Sequence, residues 1–89
     1  MAGMKGMDVD AVQKLGQQMQ NKSDDIKTIV NQIQSLVGGA QWIGPDADRF
    51  RNDWESNLKN QLNNTADALH GAGQSALNNA TEQAGVSDR

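Results

Sequence analysis

Few of the 89 residues carry side chains that could take part in catalysis or bind a metal. The chain contains one histidine, His70, and it has no cysteine and no tyrosine. An enzyme needs a positioned base, nucleophile or metal, and scattered serine and threonine residues do not supply one. A lone histidine beside Leu69 and two glycines is more typical of a solvated helix surface than of a metal site. We therefore predict no catalytic residue, no cofactor and no bound metal.

Two pairs of aspartates are the remaining candidates for a cation site. Asp46 and Asp48 follow the single proline, and Asp24 and Asp25 are adjacent. The calcium-loop pattern, with its central glycine and closing glutamate, is missing around both pairs. Acidic residues in a first helical turn commonly stabilise the positive end of the helix dipole. We interpret the aspartates as structural.

Charge and hydropathy exclude several classes of partner. The formal net charge is −3, from eight Lys and Arg against eleven Asp and Glu, so the chain lacks the concentrated positive field that phosphate contacts require. We expect no nucleic-acid partner. The sequence contains no long apolar run. We therefore expect no cleavable Sec-type signal peptide and no stable membrane insertion.

A repeating apolar pattern predicts the first helix over residues 8–37. Its positions advance by alternating steps of three and four residues, interrupted at Lys22. Val9, Val30 and Val37 lie on an adjoining line and widen the stripe. Asp8 or Asp10 is the candidate N-cap, and Gly38-Gly39 is expected to end the helix in a left-handed conformation. The apolar residues of this helix that are predicted to pack in the core or a dimer are Val12, Leu15, Met19, Ile26, Ile29, Ile33 and Leu36.

A second amphipathic helix is predicted from Pro45, because proline is favoured at the first helical position. Helix-breaking Gly71 and Gly73 predict firm helix over 45–70, a weak continuation to 83 and a flexible tail over 84–89. Its apolar stripe contains Phe50, Trp54, Leu58, Leu62 and Leu69.

The segment 38–44 between the helices is too short for anything but a chain reversal. We therefore predict an all-α fold in which residues 1–89 form a single helical hairpin. The apolar stripe is wider than one neighbouring helix covers, so a second hairpin is expected to complete an antiparallel four-helix bundle.

Trp42 is the unusual residue of the turn, because glycine and polar residues reverse a chain more readily than a large indole. It has two possible roles. It could plug the end of the bundle against Val37 or Phe50, or it could form part of a recognition surface, where tryptophan is enriched.

Trp42-Ile43-Gly44 lies near the midpoint of the chain, and Phe50 and Trp54 follow it in the second helix. This arrangement, together with the length and the missing cysteine, resembles the WXG-type, ESAT-like family of type VII secretion substrates. The resemblance covers roughly residues 9–80. Trp42 and Gly44 match the family's turn motif directly, whereas its frequent tail motif of tyrosine and a later acidic residue is missing.

The resemblance implies a dimeric four-helix bundle that leaves the cytoplasm through a membrane ATPase machine, without a cleavable Sec signal. The partner would be a second copy or a sister WXG-type chain. The turn of one protomer and the carboxyl tail of the other would form the export signal. The residues still leave two other functions open. One is an intracellular helical adaptor or chaperone, and the other is a membrane-active amphipathic protein, which the near-neutral charge disfavours.

Overall fold

Two antiparallel helical arms make up the structure, a computed structural model that describes residues 7–87, with side chains from 7 to 85. The first arm is helix α1, Val9–Gly39. The second arm is continuous and consists of helix α2, Pro45–Asp53, a π-helical turn, Trp54–Leu58, and helix α3, Lys59–Ser87. This arrangement confirms the predicted all-α hairpin.

Helix α1 begins as the sequence predicts and ends differently. The Asp8 side chain accepts a hydrogen bond from the Ala11 amide at 3.1 Å and so caps the first turn. The helix continues through Gly39 to an extended C-cap at Ala40, whose amide donates to the Leu36 carbonyl at 3.0 Å. The expectation of a left-handed glycine at this end is wrong. Within the described residues, the positive φ is found at Gly44.

The arms meet along a seam of small residues spaced seven apart. Gly16 lies against Gly73, and a Cβ atom built on either glycine would lie 2.7 Å from the carbonyl oxygen of the other. One heptad further along, Ser23 donates a hydrogen bond to the Ala66 carbonyl at 2.7 Å. Because these side chains are so small, the two backbones come nearly into contact. The buried residues of the hairpin are Gly16, Ser23, Val30, Ala47, Trp54, Ala66, Gly73 and Ala80.

The long apolar residues of α1 do not form this seam. Leu15, Ile29 and Leu36 are 51%, 48% and 70% exposed. A second row of apolar residues, each four positions before a residue on the line 16, 23, 30 and 37, is half-buried at the edge of the seam. They are Val12, Met19, Ile26 and Ile33. The apolar residues of α1 named from the sequence therefore flank the hairpin interface, because long side chains would not fit between closely packed backbones.

The π-helical turn at 54–58 explains which residues of the second arm face α1. The buried Ala66 follows the buried Trp54 by a step of twelve positions, whereas three turns of α-helix correspond to a step of about 11. A π turn accommodates one extra residue, so Ala66 enters the seam and Thr65 stays exposed.

Helix α3 extends to Ser87, so it runs past residue 83, where a flexible tail was expected to begin. Gln83 and Ala84 are half-buried. The helix continues through Gly73, which lies where the two backbones approach closely, so that a larger residue would not fit. Residues 88–89 of the predicted tail lie outside the described residues.

The hairpin is long and one layer thick. It measures 66 × 17 × 17 Å and has a radius of gyration of 19.7 Å, against about 12 Å for a compact domain of this length. One broad side carries Val12, Met19, Ile26 and Ile33 with the exposed leucines and isoleucine of α1. Leu62 and Leu69 each lie four residues before a buried seam residue of α3. In two antiparallel helices, residues at the same offset from the contact line lie on the same side of the pair, so these leucines join the apolar residues of α1. We call this surface the apolar side.

The opposite broad side is polar and joins the arms through side-chain pairs. Gln20 donates to the Gln74 side chain at 3.2 Å, and Lys27 forms an ion pair with Asp67 at 2.8 Å. The two sides of the hairpin therefore differ in chemistry, and the apolar one is open to solvent in a single chain.

Candidate recognition site at the hairpin tip

The chain reversal presents a cluster of exposed apolar side chains, which we call the tip surface: Leu36, Trp42, Ile43 and Phe50. Ile43 is 96% exposed and Trp42 is 45% exposed. Exposed apolar residues gathered in one place commonly mark an interaction site. Leu36 and Phe50 also border the apolar side, so the two surfaces are continuous.

Trp42 packs against a neighbouring aromatic ring and is also partly exposed to solvent. Its ring lies against Phe50, with a centroid distance of 5.8 Å and an interplanar angle of 45°. This geometry is in the range of favourable aromatic pairs. Trp42 therefore contacts Phe50, one of the residues expected from the sequence, and remains 45% exposed to solvent.

Gly44 adopts a backbone conformation that other residues rarely reach. Its φ is 128° and its ψ is 176°, in a region populated essentially by glycine. Its carbonyl accepts from the Asp48 amide at 3.0 Å, which makes it the N-cap of α2, and Pro45 follows in the first turn. The glycine is thus needed to turn the chain from Ile43 into α2.

Arg51, a residue of the second arm, forms hydrogen bonds with the end of α1 and with the turn. Its guanidinium donates to the carbonyl oxygens of Trp42 at 2.8 Å, Ala40 at 3.1 Å and Val37 at 3.4 Å. The last turn of α1 contains no basic residue of its own. Arg51 therefore supplies the positive charge and the donors that the carbonyl end of a helix favours.

An open, mainly apolar cavity of about 180 Å³ lies beneath Trp42. It is lined by Leu36, Val37, Ala40, Trp42, Phe50 and Arg51. Pockets for small molecules and cofactors usually measure 300–1,000 Å³. The cavity is suited in size to one inserted side chain of a partner.

Trp54 differs from Trp42 because it is 3% exposed and hydrogen-bonded. Its indole nitrogen donates to the Gln34 side chain at 2.8 Å, and Gln34 donates to Glu55, also at 2.8 Å. Hydrogen bonds from Lys59 and Gln34 hold the pKa of Glu55 below its ordinary value. This network ties α1 to the π-helical turn, so Trp54 stabilises the hairpin beneath the tip.

One aspartate of each candidate pair forms an ion pair within its own helix. Asp46 pairs with Arg49 at 3.2 Å, and Asp25 pairs with Lys22 at 3.7 Å. Over residues 7–87 no group of three or more histidine, cysteine, aspartate or glutamate side chains is placed to hold a metal ion. In the same range, no helix has both the length and the apolar character needed to cross a membrane.

Sequence reasoning placed Trp42, Ile43 and Gly44 in the turn and missed Arg51. No periodic signal marks an arginine whose hydrogen-bond acceptors are backbone carbonyls of another segment. The small-residue seam was also missed, although alanine and glycine at 66, 73 and 80 repeat at seven-residue intervals.

Comparisons with known protein families, curated proteins and solved structures find no match to this chain. The fold and the tip surface therefore define its class on their own. It is a helical hairpin that presents an apolar, partly exposed turn at one end and an apolar side along its length.

Proposed function

We propose that this chain is a small exported protein without enzymatic activity, recognised by a type VII secretion system through the turn Trp42, Ile43, Gly44 and the C-terminal tail. The observation that carries the proposal is the presentation of Ile43 and Trp42, exposed to 96% and 45%, at the end of a hairpin. Tryptophan is among the residue types enriched in interface hot spots.

The sequence resemblance to the WXG-type family gives the proposal its specific class. Two features of the structure support it. The conformation of Gly44 explains why a glycine follows Trp42 by two residues, and Phe50 packs against Trp42 from the next helix. The secretion machinery's membrane ATPase is the proposed partner of the tip surface, and the chain would be cytoplasmic before export.

The proposed exported species is a dimer. The apolar side leaves Leu15 and Ile29 about half exposed along a hairpin only 17 Å thick. A second hairpin laid against that side would bury these residues and give the helices a four-helix arrangement. Lys22 interrupts the apolar side, and its long stem allows the charge to reach the edge of such an interface.

Export of a Trp42→Ala variant tests this proposal. In a bacterial host that carries the secretion system, we expect the level of the variant in the culture supernatant to fall at least tenfold. Because Trp42 is half exposed, its truncation should cost about 1–2 kcal/mol of stability and leave the helical circular dichroism intact. A Trp42→Phe variant, which keeps a ring against Phe50, should be exported at an intermediate level.

The control is Val30→Ala. Val30 is 3% exposed and lies in the seam, outside the tip surface, so this substitution removes buried apolar volume without changing the tip. It should be destabilised by a similar or larger amount and still be exported. Wild-type export must also stop when the membrane ATPase is deleted. A folded Trp42→Ala protein exported at the wild-type level contradicts the proposal, and so does secretion that continues without the ATPase.

A further inference from the structure

We infer that Arg51 is a positioning residue that fixes the conformation in which the tip surface is presented. This inference rests on the proposed function. Its basis is the convergence of three carbonyl oxygens, from Val37, Ala40 and Trp42, on a single half-buried guanidinium group.

The chemistry of the contact requires arginine. A guanidinium presents several donors in a fixed plane, so it can bind acceptors from different residues at the same time. A lysine ammonium is a compact charge and does not reproduce the fork. The carbonyl of Val37 belongs to the last turn of α1, where carbonyls lack helical partners. Arg51 therefore connects the end of α1, the reversal and α2 in one contact.

The turn has few other restraints between α1 and α2. The Ala40 amide bonds back to Leu36, and the Trp42 amide bonds to the Ala40 carbonyl, both at 3.0 Å. Neither bond joins the turn to the second arm. For residues 40–43, the hydrogen bonds that do so are the two from Arg51 to the carbonyls of Ala40 and Trp42, whereas Gly44 accepts from the Asp48 amide as the N-cap of α2.

Phe50 holds the indole ring while the neighbouring Arg51 holds the backbone of the same residue. The indole therefore has a defined direction only when both contacts are present. Loss of Arg51 would free residues 40–43 to sample several conformations, and a partner would then have to select the competent one. The apparent affinity falls in proportion to the fraction of that conformation.

Backbone ¹⁵N relaxation of purified variants measures this directly. We expect residues 40–43 of the wild type to have order parameters near 0.85 and those of Arg51→Gln to fall below about 0.6, with the helices unchanged. Arg51→Lys should give intermediate values. Arg49→Gln is the matched control, because Arg49 contacts Asp46 within its own helix turn and should leave the turn rigid.

The same variants are then compared for export. Arg51→Gln should reach the supernatant at a level at least tenfold below wild type, while Arg49→Gln and the seam control Val30→Ala are exported normally. A turn that stays rigid in Arg51→Gln overturns the inference. It is also overturned if the turn loosens while ATPase-dependent export is unchanged. If wild-type secretion is independent of the ATPase while Arg51→Gln still loosens the turn, the proposed function fails and the restraint by Arg51 stands.

Discussion

The two tryptophans show how one residue type takes different roles according to its neighbours. Trp54 is buried and its indole N–H is bound by Gln34, whereas Trp42 is half exposed against Phe50. The sequence predicted a place for each, one in the stripe and one in the turn. The residues alone left two roles open for Trp42, because the choice depends on how closely Phe50 and the end of α1 approach the indole, whereas the family resemblance favoured a mixed role.

Gly44 provides a prediction at the same scale. Gly44→Ala should lower the free energy of unfolding by about 1–3 kcal/mol, because a Cβ atom is strained at a φ of 128°. Urea denaturation monitored by circular dichroism measures the change. Gly38→Ala is the control, since a Cβ atom there has open space and alanine raises helix stability by up to about 1 kcal/mol. Equal stability of Gly44→Ala and wild type would show that the turn relaxes without strain.

The helical elements could be predicted because their signals are local. Apolar spacing, the Asp8 cap and Pro45 at a helix start all act within a few residues, and the hairpin they predict is confirmed. The residues of the seam could not be predicted in the same way. Apolar periodicity gives most weight to leucine and isoleucine, whereas closely packed helices require the smallest residues at the contact.

The π-helical turn is a second feature that local signals did not predict. It changes the phase of the second arm by one residue, so that Ala66 and Gly73 face α1. The turn coincides with the hydrogen bonds that connect Trp54, Gln34 and Glu55. The hydrogen bond from Trp54 to Gln34 joins residues that are 20 positions apart in sequence, so a local pattern does not contain it.

The seam glycines give the prediction for the helical elements. Gly16→Ala should destabilise the hairpin by about 2 kcal/mol, because the new Cβ would lie 2.7 Å from a backbone carbonyl that cannot move alone. Gly71→Ala, two residues from Gly73 but with open space around it, should be stabilising by up to about 1 kcal/mol. Thermal unfolding at a fixed protein concentration compares the two. A Gly16→Ala protein that melts at or above the wild-type temperature would mean that the backbones are not in close contact.

At the scale of the whole molecule, the hairpin has a core too thin to cover its own apolar residues. Small residues bring the arms together, and they leave Leu15, Ile29 and Leu36 facing solvent. From the width of the stripe, the sequence predicted a second hairpin as partner, and this stays a prediction. The identity of the partner could not be deduced, because a second copy and a similar sister chain would present the same kind of surface.

Light scattering coupled to size exclusion tests most directly whether two hairpins cover each other's apolar side. We expect a mass of about 19 kDa for the wild type, twice the 9.6 kDa of one chain. Ile29→Asp should reduce the mass toward that of one chain, because a dimer would bury the new charge without a partner. Thr28→Asp, at the exposed neighbouring position outside the apolar side, should remain dimeric. A fully helical wild-type monomer of 9.6 kDa at tens of micromolar would contradict the account.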